Sequence, residues 1–188
     1  MLNVVYVAPF PMSATMKFAR ALANLPNVRL FGIFQKPPAE AELFQVILKV
    51  DSALNTETIE HKVRQIRDTY GPIHRLLGVL ENIQEQLSIV RQRLNIYGMQ
   101  PQAAHLFRDK GAMKEALRKA GVPCARHAEI SSVQEGLQFV KSVGYPIILK
   151  PKSGAGCKAT YRVNSDGELS KALLDIPIRP VLAEEFLS

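Results

Sequence analysis

Residues 144–160, GYPIILKPKSGAGCKAT, join a short apolar run to three lysines and two glycines. The run PIIL predicts a buried strand, and the β-branched and aromatic residues of ATYRV predict a second strand directly after the glycines. Two strands joined by so short a segment form an antiparallel hairpin. Because the free backbone N–H groups of glycine-rich loops and the ammonium groups of lysines bind phosphate, the stretch predicts a sheet whose hairpin closes over an anion.

Two other phosphate-binding designs do not fit this loop. A P-loop requires GxxxxGK[ST] at the start of a helix, but Cys157 separates Gly156 from Lys158. The looser pattern GxGxxG/A is matched by GAGCKA, yet a strand follows it, so no helix N-terminus faces the phosphates. A solvated hairpin whose lysines keep a sheet edge soluble is the structural alternative. Lys150 favours the phosphate site, because it ends an apolar strand and residues 136–165 contain no acidic residue. We therefore expect it to need an anion from a ligand.

The N-terminal half alternates apolar runs with amphipathic ones, which is typical of a doubly wound α/β domain with a parallel sheet. Its first strand-to-helix turn, PFPMSAT, contains no glycine, so we do not expect the nucleotide there. The predicted strands are 4–8, 28–34, 44–50 and 73–80, and the predicted helices begin at the cap Ser13 and cover about 56–70 and 83–94.

The second half predicts a smaller α+β lobe after a linker at 95–104 that contains glycine and proline. We place the domain boundary between residues 103 and 104. The predicted helices of this lobe are 106–119, 132–142 with Ser132 as its cap, and one beginning at Asp166, and the predicted strands are 127–130, 146–150, 159–163 and 181–186.

Composition limits the class of protein. The chain has 188 residues, is 47% apolar and 22% charged, and carries a net charge of +7, which is ordinary for a soluble globular protein. Neither half has a polybasic arm or a zinc-finger spacing, so we expect no nucleic acid as the main ligand. No apolar run approaches 18 residues, so we expect no membrane association and a cytoplasmic location. Cys124 and Cys157 are expected to be plain thiols.

Three segments, in this order, resemble motifs of the ATP-grasp superfamily: FRDKGAMKEALRKAGVPCARH, GYPIILKPKSGAGCKAT and VLAEEFLS. They cover residues 107–188 and are similar to the ATP-binding domains of biotin carboxylase and carbamoyl phosphate synthase. The first hundred residues resemble, more loosely, the pre-ATP-grasp domain of such ligases. The resemblance implies that 1–103 is a pre-ATP-grasp domain and that 104–188 is the first ATP-grasp subdomain, ending before the second.

The resemblance also implies roles for individual residues. Lys110 and Lys150 would contact the α- and β-phosphates of ATP, and Glu184 and Glu185 would hold the adenine edge and the ribose side. The other nucleotide-binding candidates are Lys152, the lid residues Ser153, Gly154, Ala155, Gly156 and Lys158, and the backbone at Phe186 and Leu187. Ile148 and Val181 are candidates for apolar contact with the base. No catalytic residue and no metal ligand is assigned.

In this family the implied activity is that of an ATP-dependent ligase, which activates a carboxylate as an acyl phosphate for attack by an amine. Mg²⁺ would be held by the second subdomain, so we expect the isolated chain to bind ATP weakly, with a Kd on the order of millimolar, and to be inactive. An uncovered apolar C-terminal strand would favour a homodimer. The alternatives are a small non-catalytic nucleotide- or phosphate-binding module and one half of a two-chain assembly.

Overall fold

A computed structural model describes residues 1–153 and 159–187 of the chain. It divides into two compact units, Met1–Ala104 and His105–Ser188. The first contains a parallel sheet of four strands, and the second an antiparallel sheet of four strands. The predicted fold class, a doubly wound α/β domain followed by a small α+β lobe, is therefore confirmed.

The sheet of the first unit has the strand order β3-β2-β1-β4. Its central strand β1 has no exposed residue after its first, because the sheet is covered on both faces by apolar clusters. The strands are β1 Leu2–Ala8, β2 Val28–Phe34, β3 Ile47–Lys49 and β4 Arg75–Leu77, and the helices are α1 Ser13–Ala23, α2 Thr56–Tyr70 and α3 Gln84–Arg93.

The helix starts of this unit differ in their capping. The Asn55 side chain accepts a hydrogen bond from the Thr58 amide at the start of α2. The predicted cap Ser13 is wrong, because Ser13 is already helical and the capping position is Met12, whose side chain makes no such bond. Thr15 Oγ1 instead donates to backbone carbonyls of the preceding turn. The predicted strands at 44–50 and 73–80 were too long, because only 47–49 and 75–77 pair with neighbouring strands.

The single helix predicted over 106–119 is two helices, α4 Pro101–Arg108, which spans the division between the two units, and α5 Lys110–Lys119. Asp109 separates them because its backbone is extended (φ −94°, ψ 110°) and its side chain accepts a hydrogen bond from the Ala112 amide. That break makes Lys110 the first residue of a new helix. The other helices are α6 Val133–Val143 and α7 Asp166–Asp175, each capped by a serine side chain.

The antiparallel sheet has the strand order β5-β8-β6-β7, and the predicted hairpin of β6 and β7 is confirmed. Its strands are β5 His127–Ile130, β6 Ile147–Pro151, β7 Tyr161–Val163 and β8 Val181–Glu185. The last strand, β8, pairs with β5 on one side and with β6 on the other. The expectation that it is an uncovered edge is therefore wrong, and with it goes the reason given for a homodimer through this strand.

Candidate functional site

The two faces of the antiparallel sheet have different chemistry. Residues of one face form the core with α6 and α7, including Ile147, Leu149 and Ala183. Because side chains alternate along a strand, the next residues face the other way. They form two cross-strand rows, His127–Glu184–Ile148 and Glu129–Leu182–Lys150. This second face, which we call the charged face, carries the candidate site.

Glu184 lies between two lysines on the charged face. Its Oε2 is 2.7 Å from Lys150 Nζ on the neighbouring strand β6, and its Oε1 is 3.4 Å from Lys114 Nζ on α5. The side chains are largely buried, with 10% of Glu184, 10% of Lys114 and 22% of Lys150 exposed. With all three groups ionised, this lysine–glutamate cluster carries a net charge of +1 and is thus suited to a further anion.

The expectation that Lys150 lacks an anionic partner in the protein is wrong. The partner is Glu184, which lies 34 residues further along the chain and reaches Lys150 because β8 and β6 pair side by side. A count of charges within residues 136–165 omits it for that reason. Sequence reasoning also missed Lys114, although its position one helical turn after Lys110 on α5 was an available signal.

A second charged cluster surrounds the end of β6. Lys152 Nζ lies 2.6 Å from Glu129 Oε1 on β5 and 3.2 Å from Asp109 Oδ2 at the start of α5. The backbone carbonyl of Lys152 accepts a hydrogen bond from the Lys110 amide at 3.1 Å. Two predicted site residues that are distant in sequence, Lys110 and Lys152, are thus brought together. We call Lys152, Asp109 and Glu129 the carboxylate–lysine cluster.

The environment of this cluster favours its charged forms. The hydrogen bond with Glu129 raises the pKa of Lys152, and the bond with Asp109 adds to it. Burial alone would raise the pKa of Asp109, but hydrogen bonds from the Ala112 amide and from Lys152 outweigh it, so the pKa is lowered. An open cavity of about 410 Å³ lies beside the cluster, lined by His105, Asp109, Gly111, Ala112, Glu115, His127, Ala128, Glu129 and Lys152.

At the end of β8, where the sequence predicts a hinge, Glu185 and Phe186 contact arginine side chains. The Glu185 carboxylate accepts hydrogen bonds from the Arg126 backbone N–H at 2.7 Å and from its guanidinium at 2.6 Å, and these bonds lower the pKa of Glu185. The Phe186 ring lies 4.4 Å from the Arg162 guanidinium, in cation–π contact. Leu187 is 67% exposed.

The other predicted contacts divide between the two faces and the undescribed segment. Val181 is fully buried in the core under α6 and α7, so the expected contact between Val181 and a base on the charged face is wrong. Ile148 does lie on the charged face. Ser153 is exposed, whereas Gly154, Ala155, Gly156, Cys157 and Lys158 lie outside the described residues.

His127 lies on the charged face, and its surroundings lower the pKa of its imidazole. Burial lowers the pKa of its imidazole, and the nearby Arg118 guanidinium, 3.0 Å from Nδ1, lowers it further.

Among residues 1–153 and 159–187, no group of three or more His, Cys, Asp or Glu side chains is arranged to hold a metal ion. Within the same residues, no helix has the length and apolar character needed to cross a membrane.

Comparison with known proteins finds sequence similarity in the second unit. Residues 109–176, which contain both charged clusters except Glu184, match the family model described as the ATP-binding domain of the carbamoyl-phosphate synthase L chain. Residues 109–176 are therefore similar in sequence to a known ATP-binding domain. Biotin carboxylase from Nostoc sp. is 38% identical over 79 residues, a match that covers 41% of this chain and 18% of that protein.

Solved structures share the fold of this chain along its whole length. An L-amino acid ligase from Bacillus licheniformis superposes with a TM-score of 0.80 at 15% identity, covering 100% of this chain and 44% of the ligase. An N5-carboxyaminoimidazole synthetase from Staphylococcus aureus, in complex with ADP, superposes with a TM-score of 0.77 at 17% identity and 48% coverage of that chain. The chain thus spans less than half the length of these ligases.

Proposed function

We propose that this chain is the nucleotide-binding part of an ATP-grasp ligase, which activates a carboxylate as an acyl phosphate for attack by an amine. The match of residues 109–176 to an ATP-binding domain family supports the ligand, and the ligase folds support the class of reaction. The observation that carries the proposal is the lysine–glutamate cluster. It contains a lysine near the end of strand β6, and the three ionised groups together carry a net charge of +1.

In this proposal Lys150 exchanges one anion for another. Without nucleotide its ammonium rests on Glu184, and with nucleotide it donates to phosphoryl oxygens. Lys114 stays beside Glu184 and keeps that buried carboxylate paired during the exchange. A charge-assisted hydrogen bond contributes about 1.5 to 3 kcal/mol, so the phosphate bond can replace the carboxylate bond at little net cost.

Lys110 is the second proposed phosphate ligand. It begins α5, and its amide is bonded to the end of β6, so its side chain starts from the same end of the sheet as Lys150. Ser153 and the following residues Gly154, Ala155, Gly156 and Lys158 are proposed to contact the β- and γ-phosphates. Glu184, Glu185, Phe186 and Leu187 are proposed to lie along the base and ribose.

The proposal assigns no step to a metal ion, because the described residues offer no cluster of ligands for one. It also assigns no catalytic residue. We propose that the whole ligase recognises the carboxylate and amine substrates. We also propose that it is located in the cytoplasm.

Thermal unfolding with and without nucleotide tests the proposal. With a Kd near 1 mM, 10 mM ATP should stabilise residues 1–188 by about 1.4 kcal/mol. Lys150→Ala should lose most of this increment, whereas Lys171→Ala, which alters an exposed lysine on α7, should retain it. Because Lys150 also pairs with Glu184, the increment on adding ATP is the quantity to compare, rather than the melting temperature itself.

Amide chemical-shift changes should locate the bound nucleotide. We expect them on β6, on β8 and at the start of α5, with ADP as well as with ATP. Equal ATP increments in wild type and Lys150→Ala, or shift changes confined to the first unit, would overturn the proposed site. Binding of inorganic phosphate as strongly as ATP would instead favour a phosphate-binding module.

A further inference from the structure

The carboxylate–lysine cluster gives Lys152 surroundings different from those of Lys150, two residues before it. Its ammonium already has two carboxylate partners, at 2.6 Å on Glu129 and 3.2 Å on Asp109. With all three groups ionised, this cluster has a net charge of −1, opposite to that of the lysine–glutamate cluster. A phosphate would therefore be attracted to Lys150 and repelled from the surroundings of Lys152.

The same residue is bonded to the start of α5 twice. Its carbonyl accepts the amide of Lys110, and its side chain pairs with Asp109, whose other carboxylate oxygen caps the helix through the Ala112 amide at 2.9 Å. The packing is close, because a Cβ on Gly111 would lie 2.9 Å from Glu129 Oε1. The first turn of α5 is thus fixed to β6 and β5 around the Lys152 side chain.

We infer that Lys152 is a positioning residue for nucleotide binding: it holds the first turn of α5 against the end of β6 and thereby places Lys110 beside Lys150. This inference rests on the proposed function, since Lys110 and Lys150 are its phosphate ligands. Lys110 and Lys150 would bind the phosphates, and Lys152 would set the position of Lys110 relative to Lys150. Glu129 and Asp109 share the structural role.

Amide hydrogen exchange without nucleotide tests the structural half of the inference. In the wild-type chain the Lys110 amide is bonded to the Lys152 carbonyl. Lys152→Met keeps that carbonyl but removes the ammonium, and it should speed exchange of the Lys110 amide by about tenfold, as expected when a local opening becomes easier. Lys152→Arg should retain slow exchange, because a guanidinium can still reach both carboxylates. Unchanged exchange in Lys152→Met would overturn the inference whether or not the chain binds nucleotide.

A double-mutant cycle on ADP affinity, followed by amide chemical shifts, tests the functional half. We expect Lys110→Ala and Lys152→Met each to weaken ADP binding about fivefold, and the double variant also about fivefold, because coupled residues are not additive. If the double variant bound ADP about 25-fold more weakly than the wild type, Lys152 would contact the nucleotide independently of Lys110, and the inference would be wrong. Lys171→Met serves as the control for loss of an exposed lysine.

The two experiments distinguish failure of this inference from failure of the proposed function. Fast Lys110 exchange in Lys152→Met together with no ADP binding by the wild-type chain would refute the nucleotide site and, with it, the functional role of Lys152. ADP binding that is lost in Lys150→Ala but unaffected by Lys152→Met would support the nucleotide site and refute only the positioning role.

Discussion

Removing the charge of Glu184 should destabilise the second unit strongly. Glu184→Gln keeps the size of the side chain but leaves Lys114 and Lys150 facing a neutral amide. The two ion pairs, at 3.4 and 2.7 Å, correspond to about 5 and 6 kcal/mol of Coulomb attraction at an effective dielectric constant of ~20. Desolvation of the buried groups offsets much of this attraction in the native protein.

The net loss depends on how far the two lysines can return to water. Lys150 is 22% exposed and can reorient, whereas Lys114 is 10% exposed and is held on α5. Breaking a buried pair by removing one partner usually costs 3–5 kcal/mol, so with one lysine able to rehydrate we expect a loss of about 3 kcal/mol. Urea unfolding should be followed through the amide signals of β6 and β8, because the two units need not unfold together.

The adjacent residue provides a matched control. Glu185→Gln makes the same chemical change, but its partner Arg126 is 59% exposed, so we expect a much smaller loss than for Glu184→Gln. The Gln oxygen can still accept the hydrogen bond from the Arg126 amide. Equal losses in the two variants, or a loss below 1 kcal/mol for Glu184→Gln, would refute the view that Glu184 is the buried centre of a charged cluster.

Two further predictions concern stability, and both are read from urea midpoints. Burial raises the pKa of Tyr6 to about 12, above its ordinary value of 10.0, and its hydroxyl donates to the Thr15 carbonyl. Because folding favours the neutral hydroxyl, the free energy of unfolding is unaffected below pH 10 and falls by about 2–3 kcal/mol as the pH rises to 12. Tyr6→Phe should lack that fall. Equal pH profiles of the wild type and Tyr6→Phe would contradict the raised pKa of Tyr6. Gly78→Ala should cost about 2 kcal/mol, because its Cβ would lie 2.9 Å from the Val7 carbonyl oxygen. Gly167→Ala in α7 of the second unit is the control: its Cβ would have only Ser165 Oγ nearby, at 4.0 Å, so we expect a gain of about 0.5–1 kcal/mol. A neutral Gly78→Ala would be the contrary result.

Hydrophobic periodicity predicted most elements well, because each element is a local property of the chain. Strands 28–34 and 127–130 and helix 56–70 have the predicted bounds. The break between α4 and α5 was missed, since the apolar pattern continues through it and the interruption is made by one capping aspartate, Asp109. A single Asp is a weak signal for the start of a new helix when the residues on both sides of it fit a helical pattern.

The partners of the predicted site lysines were beyond the reach of the same reasoning. Which strand lies next to β6 is decided by the sheet as a whole, and β8, the last strand in sequence, inserts between β5 and β6. That insertion places Glu184 beside Lys150, and the long side chain of Lys152 reaches Glu129 across the intervening strand. A window of sequence contains the cations but not the carboxylates that neutralise them.

The order of the strands therefore decides how the lysines of one short segment differ. Lys150 and Lys152 are two residues apart and point to the same face of the sheet, so periodicity treats them alike. Lys150 shares one carboxylate with a second lysine, whereas Lys152 has two carboxylates to itself. An incoming phosphate gains a partner at the first lysine by displacing one shared carboxylate. At the second lysine it would have to displace two, against a local negative charge, so affinity for phosphate should concentrate on Lys150.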